Sequence, residues 1–144
     1  MPNTGLEVWD KSVQTTNIWL DEIMDLCDVD RRGAWHILAS VLRALRDRLP
    51  LEVAIHLGAQ LPLLVRGTYF EQWHLSDAPR ARTLEDFLRL VDEKLGDGPA
   101  IPAMDATGAV FRVLSHSIDE GQTRKLLAVL PRSLREFWED AQPP

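Results

Sequence analysis

The sequence predicts an all-α protein, a compact helical bundle of two pseudo-repeated three-helix halves. Apolar residues recur at steps of three and four along most of the chain, which is the period of an amphipathic helix, and no stretch alternates for long as a β-strand does. The later segments also repeat the apolar pattern of the earlier ones. With 144 residues, 45% of them hydrophobic, the chain has the size of one globular domain, and we expect a single helical domain over residues 1–144.

Two helices are predicted before Pro50. The first follows Thr15, Thr16 and Asn17, which are favourable N-cap residues. Its apolar positions are Trp19, Leu20, Ile23, Met24, Leu26 and Cys27. The second helix has the clearest stripe, formed by Trp35, Leu38, Leu42, Leu45 and Leu49. Its opposite, polar face carries His36, Ser40, Arg43 and Asp47.

The third helix has a proline inside its apolar pattern. Its inward residues are Val53, Ala54, Leu57 and Leu61 before Pro62, and Leu64, Val65, Tyr69 and Trp73 beyond it. Because proline removes a helical hydrogen bond, either the helix kinks at Pro62 or a new helix begins with Pro62 at its first position. The residues alone leave both alternatives open.

Three further helices are predicted after a linker at residues 74–82. Thr83 begins a capping box with Asp86 in its third position, and the fourth helix follows with Phe87, Leu88, Leu90, Val91 and Leu95. Glycines and prolines mark residues 96–102 as a loop. The fifth helix uses Val110, Phe111, Val113, Leu114 and Ile118. The sixth uses Leu126, Leu127, Leu130, Leu134, Phe137 and Trp138, with Pro131 interrupting its pattern.

The two halves match as an internal repeat over about residues 16–73 and 83–138. The overlays of the first two helix pairs are weak evidence, since amphipathic helices match easily. The third pair is more distinctive, because a proline within an apolar stripe is followed four residues later by arginine and seven later by an aromatic residue. This spacing occurs at Pro62, Arg66 and Tyr69, and again at Pro131, Arg135 and Trp138.

The arginines and aromatic residues of this repeat, together with Trp73, are the predicted interaction or ligand residues: Arg66, Tyr69, Trp73, Arg135 and Trp138. An arginine three residues before an aromatic on a helix can lay its guanidinium against the ring. The pair is then either a structural buttress or an anion-binding arginine, and the buttress is favoured because such stacking needs no ligand to explain it. Trp73 near a helix end can anchor a partner or seal the edge of the domain.

Other function classes find little support. The net charge of −6 disfavours nucleic acid, which would require Arg43, Arg46, Arg48, Arg80 and Arg82 on one face. The histidines lack metal-ligand spacing, and no phosphate loop, nucleophile elbow or cysteine dyad is visible, so we expect no metal, cofactor or catalytic residue and no enzyme. Without a membrane-spanning run or signal peptide, a cytoplasmic protein is expected.

Particular motifs resemble a known family. The first half carries Leu45-Arg46-Asp47-Arg48-Leu49-Pro50, Gln60-Leu61-Pro62 and Arg66-Gly67-Thr68-Tyr69-Phe70-Glu71-Gln72-Trp73. The second carries Phe87-Leu88 with Val91, Leu130-Pro131, Leu134-Arg135 and Trp138. From about Thr16 to Trp138 the chain resembles the bacterial DUF2267 group, a domain of unknown function. The resemblance implies a bacterial, helical, cytoplasmic protein with no established activity, and it supplies no catalytic residues.

Two functions follow as hypotheses. The first is a non-enzymatic helical module for protein–protein interaction, through self-association or a protein partner. The second is a small apolar or anionic ligand-binding protein with its pocket between the two halves.

Overall fold

The computed structural model describes residues 4–75 and 81–144, and all regular secondary structure in those ranges is helical. The helices are α1 (Glu7–Cys27), α2 (Arg31–Arg48), α3 (Leu51–Ala59), α4 (Leu63–Phe70), α5 (Leu84–Leu95), α6 (Ala103–Ser117), α7 (Glu120–Val129) and α8 (Arg132–Asp140). The predicted all-α class is therefore confirmed. Most of the predicted linker, residues 76–80, lies outside the described ranges. No helix within those ranges is both long and apolar enough to cross a membrane.

The first helix begins earlier than predicted. α1 starts at Glu7 rather than after Asn17, and Thr16 lies buried in its middle. In front of it, the amide and hydroxyl of Thr4 both donate hydrogen bonds to Asp10 Oδ1, at 2.8 and 2.9 Å. Threonine and asparagine disfavour a helix interior by less than about 0.7 kcal/mol each, so packing against the body overrides their capping preference.

The two internal prolines start new helices rather than kinking old ones. Pro62 and Pro131 are the N-cap residues of α4 and α8, with nearly the same backbone angles (φ −57° at both, ψ 151° and 152°). Their carbonyls accept the first helical hydrogen bonds, from the amides of Arg66 and Arg135. Each predicted three-helix half thus has four helices, with the proline one position earlier than the first helical residue.

The helix–helix contacts of the first half correspond to those of the second half. In the first half α4 packs on α1 and α2, and in the second α8 packs on α5 and α6. Across the halves α1 contacts α6, α2 contacts α5 and α6, and α3 contacts α7. Exchanging α1–α4 for α5–α8 maps these pairs onto one another. The pattern is the one a duplication would produce, while the repeat itself stays a prediction.

Both halves contribute to one hydrophobic core. Phe111 of α6 is fully buried, and its ring centroid lies 6.0 Å from Phe87, 6.1 Å from Phe137 and 4.8 Å from Trp138. Trp19 is buried on α1, as its place in the predicted stripe requires. The core leaves the polar face of α2 on the outside, where α4 and α5 flank it.

Candidate functional site

A groove runs along the polar face of α2. We call it the basic groove, and its volume of about 490 Å³ is within the range of small-molecule sites. Its lining consists of Arg32, Trp35, His36, Ala39, Ser40, Arg43 and Arg46 from α2, Thr68, Glu71 and Gln72 at the end of α4, and Lys94 from α5. The groove therefore lies between the first half of the chain and a helix of the second half.

The local sequence of α2 places these side chains together. Asp30 begins the helix as its N-cap, accepting a hydrogen bond from the Gly33 amide at 2.8 Å. From there, steps of three and four residues carry Arg32, His36 and Arg43 along one side, because residues so spaced share a helix face. The other side of α2 is buried in the core.

Arg46 is the buried arginine of the groove. Its side chain is only 4% exposed, and Nη1 donates to the carbonyl oxygens of Tyr69 (2.8 Å) and Glu71 (2.9 Å). Nε donates to Asp47 Oδ1 at 2.9 Å, and the guanidinium carbon lies 5.8 Å from the centroid of the Trp73 ring. These contacts hold the chain beyond α4 against α2, so Arg46 acts as a structural cation.

Lys94 joins the same network from the other half. Its Nζ lies 2.8 Å from Asp47 Oδ2, while Arg46 uses Oδ1 of the same carboxylate. Asp47 therefore bridges a cation of α2 and a cation of α5. This bridge fixes the wall that α5 contributes to the groove.

Two other arginines keep hydrogen-bond donors for a ligand. Arg43 donates from Nε to the Thr68 carbonyl at 3.0 Å, but its Nη2 reaches Glu71 Oε1 only at 3.5 Å. The Glu71 side chain is 66% exposed, so this contact is weak and open to competition. The exposed Arg32 side chain makes no hydrogen bond or ion pair with residues 4–75 or 81–144.

The charge of the lining differs from that of the whole chain. Four lining residues are cationic and one, Glu71, is anionic, whereas the chain carries a net charge of −6. Cationic side chains gathered in a concave site raise the local concentration of anions. Guanidinium groups also match the paired oxygens of carboxylate and phosphate. The groove is therefore suited to an anion.

A second compartment continues from the N-terminal end of the basic groove. This glycine compartment has a volume of about 440 Å³ and shares Arg32 and His36 with the groove. Its other lining residues are Asp30, Gly33, Asp97, Gly98 and Pro99.

Glycine is required at one wall of that compartment. A Cβ at position 98 would lie 2.7 Å from His36 Cε1 and 2.8 Å from the Leu95 carbonyl oxygen. The His36 ring, whose Nε2 is 3.4 Å from the Lys94 carbonyl oxygen, therefore packs directly on the backbone of the loop after α5. The contact fixes the imidazole between the two compartments.

A separate cleft of about 520 Å³ lies between the end of α1 and the start of α6. Cys27 lines it and is half-buried, with Sγ 4.0 Å from the Asp105 carbonyl oxygen. Burial, with a smaller effect from the Asp105 charge, raises the pKa of the Cys27 thiol to about 11. Because the thiolate is the nucleophile, Cys27 is not activated for catalysis at neutral pH. The lining mixes carboxylates with Arg112, so it favours no ligand charge as clearly as the basic groove does.

The chain matches the profile of a known protein family. The profile of the family described as "Uncharacterized conserved protein (DUF2267)" matches residues 16–137. The chain belongs to the DUF2267 family. The resemblance found in the sequence is thereby confirmed. Comparison with curated proteins finds no match.

In this DUF2267 chain, the predicted site residues of the first half have structural contacts. Arg66 donates from Nη2 to the carbonyl oxygens of Ala59 (3.2 Å) and Leu61 (3.1 Å), which terminates α3. Tyr69 is fully buried, and its hydroxyl donates to the Ala54 carbonyl at 2.7 Å. Trp73 is half-buried beneath the Arg46 guanidinium.

In the second half, Trp138 is buried against Phe111, while Arg135 is half-buried and its side chain makes no hydrogen bond to the described residues. The cation–π contact in the described DUF2267 structure joins Arg46 to Trp73, rather than Arg66 to Tyr69 or Arg135 to Trp138. None of the five predicted residues lines the basic groove.

Sequence reasoning missed the groove of this DUF2267 protein. Its signal is the polar face of the second helix, which carries His36, Ser40 and Arg43. Neither Arg32 nor Lys94 is indicated by the sequence pattern. Lys94 reaches that face only because α5 packs against α2. Within the described residues, no cluster of histidine, cysteine, aspartate or glutamate could hold a metal ion. Arg80, named for a nucleic-acid face, lies outside them.

Proposed function

We propose that this protein is a non-enzymatic binding module that holds a small anionic ligand in the basic groove. The observation that carries the proposal is the gathering of four cationic side chains around one groove on a chain of net charge −6. Arg46 and Lys94 organise the site, while Arg32 and Arg43 offer donors to the anion. The non-enzymatic assignment rests on the lack of catalytic motifs in the sequence, and a cytoplasmic location remains part of the proposal.

Arg43 also shows how a ligand would enter. Its long, exposed contact with Glu71 is the only carboxylate contact to its Nη2 among the described residues, and an anion that approached Nη2 would replace Glu71 there. Nε would keep its hydrogen bond to the Thr68 carbonyl, which holds the guanidinium plane in place. Binding then exchanges one weak ion pair for a stronger, charge-assisted contact.

The test is isothermal titration calorimetry with inorganic pyrophosphate as the probe, at low and at raised salt. Wild type is expected to bind, with affinity falling as salt screens the arginines. Arg43→Gln and Arg32→Gln are expected to weaken binding about tenfold or more each, since a hydrogen bond to a charged group contributes about 1.5–3 kcal/mol.

Arg89→Gln is the matched control, because Arg89 is an exposed arginine of α5 that pairs with Asp86 and does not line the groove. Its affinity should equal that of wild type. Absence of binding by wild type, or equal affinities for wild type, Arg43→Gln and Arg32→Gln, would contradict the proposal.

A second candidate is the helical interaction module, working through self-association or a protein partner. The observation that favours it is a stripe along α1 that is buried in the middle of the helix and ends in exposed apolar residues at its start. Ser12 and Thr16 are buried on α1, and one turn earlier Val8 and Trp9 are 64% and 49% exposed on the same side. The Leu64 amide donates to Ser12 Oγ at 3.3 Å, which places the exposed Leu64 beside this stripe. Apolar surface of this kind is a common basis of association.

If that surface binds a second copy, light scattering at increasing concentration should show a dimer of the 16.3 kDa chain. Trp9→Ser should shift the equilibrium to the monomer, because it removes the largest exposed apolar side chain of the stripe. Ile18→Ser, which changes an exposed residue of α1 outside the stripe, is the control. If the wild-type protein were a monomer at every concentration tested, the self-association hypothesis would be excluded.

A further inference from the structure

We infer that the ligand is a nucleotide, with its phosphate groups in the basic groove and its base in the glycine compartment. The inference rests on the proposed anion binding and names the class of ligand. It starts from the position of the two compartments, which adjoin at the side chains of Arg32 and His36.

The two compartments differ in charge, and this difference sets the direction of the ligand. The basic groove has an excess of cations, whereas the glycine compartment adds the carboxylates of Asp30 and Asp97. Phosphate is therefore attracted toward Arg43 and repelled from Asp97. The end of the ligand that reaches the glycine compartment must be uncharged or carry hydrogen-bond donors.

The glycine compartment is lined by few bulky side chains. Gly33 and Gly98 present backbone without side chains, and Pro99 presents its own ring. Asp97 is exposed. Asp30 accepts a hydrogen bond from the Gly33 amide with Oδ1, so its other carboxylate oxygen is available to a ligand. Carboxylate oxygens accept hydrogen bonds from exocyclic amino groups such as that of adenine.

The spacing along α2 agrees with a molecule of this length. Arg32 and Arg43 are eleven residues apart on one helix, which corresponds to about 16 Å along its axis. Long arginine side chains shorten that span, and Lys94 stands between them on the opposite wall. An extended nucleoside diphosphate can contact arginine at its phosphates while its base passes His36.

The experiment compares three probes by titration calorimetry in buffer free of divalent cations: ADP, inorganic pyrophosphate and adenosine. ADP is expected to bind at least tenfold more tightly than pyrophosphate, because the base adds contacts in the glycine compartment. Asp97→Asn and Gly98→Ala should each lower ADP affinity about three- to tenfold. Asp97→Asn should not weaken pyrophosphate binding, since Asp97 does not line the basic groove, whereas Gly98→Ala also displaces His36, which does.

Gly108→Ala is the matched control for Gly98→Ala, because a Cβ there meets only Phe137 Cζ at 3.8 Å. It should leave both affinities unchanged. Pyrophosphate binding as tight as that of ADP would overturn the nucleotide inference and leave the anion groove standing. Failure of both ADP and pyrophosphate to bind would overturn both the anion groove and the nucleotide inference, and an ADP affinity unchanged by Asp97→Asn and by Gly98→Ala would overturn the placement of the base.

Discussion

Replacement of Arg46 by alanine is expected to destabilise the folded protein by about 3–5 kcal/mol, because two hydrogen bonds from its buried guanidinium to backbone carbonyls are lost, at about 1.5–3 kcal/mol each. The Arg46 side chain is 4% exposed and donates to the carbonyl oxygens of Tyr69 and Glu71 and to Asp47. Alanine would leave the Tyr69 and Glu71 carbonyls without this donor and open a cavity beside Trp73, while Asp47 would keep its pair with Lys94. The measurement is urea unfolding followed by circular dichroism.

Two further variants make this result specific. Arg124→Ala removes an exposed arginine whose ion pair with Glu120 is 3.7 Å long and solvated, and its effect should stay within about 0.5 kcal/mol. Arg46→Lys keeps the charge but cannot reproduce the fork of donors, so it should fall between wild type and alanine. An ordinary substitution lowers the free energy of unfolding by about 1 kcal/mol. If Arg46→Ala lowered it by no more than that, the structural role of Arg46 would be refuted.

The same substitution should also abolish anion binding by the molecules that remain folded. Arg46 holds the Glu71 and Tyr69 backbone against α2, and the Thr68 carbonyl that positions Arg43 belongs to the same segment. Loss of that segment would leave Arg43 without a fixed orientation. The effect on binding is thus a consequence of the fold around the groove, not of direct contact with the ligand.

Phe111→Ala is expected to cost about 3–5 kcal/mol, as other large-to-small aromatic substitutions in cores do. Phe111 is fully buried, and its ring lies between those of Phe87, Phe137 and Trp138. Removing it leaves a cavity between α5, α6 and α8 that rigid neighbours cannot close. Thermal and urea unfolding both measure the loss.

The controls for Phe111 separate cavity formation from a general loss of hydrophobicity. Phe111→Leu retains most of the volume and should cost less than about 1.5 kcal/mol. Leu75→Ala removes a side chain that is 71% exposed and should change stability by no more than about 0.5 kcal/mol. If Phe111→Ala were no more destabilising than Leu75→Ala, the aromatic cluster would not be the centre of the second half.

Much of the helical architecture could be predicted from local pattern. The stripe of Leu38, Leu42 and Leu45 is buried on α2 as predicted, because a three- and four-residue spacing requires one apolar helix face. Thr83 caps α5 as predicted, with its hydroxyl accepting from the Asp86 amide at 3.1 Å. Both features depend on residues within one or two turns of each other. Such short-range patterns are readable without knowledge of the fold.

Features that depend on two distant segments could not be read in that way. Pro62 marked a break, but whether the chain kinks or restarts depends on where α4 can pack against α1 and α2. An arginine and an aromatic residue three apart on one helix predicted local stacking, whereas the observed stack joins Arg46 to Trp73 across two elements. Burial of the helices in the core decided which arginines meet which rings.

By itself, the sequence determined the helical class, the positions of most helices and the membership of the DUF2267 family, since periodicity, caps and motifs are local properties of the chain. Only the tertiary structure decided the site. Lys94 and Arg43 are separated by about a third of the chain and belong to a common groove because α5 packs against α2. A binding surface of this kind arises from the packing of several helices at once, so no single segment carries its signature.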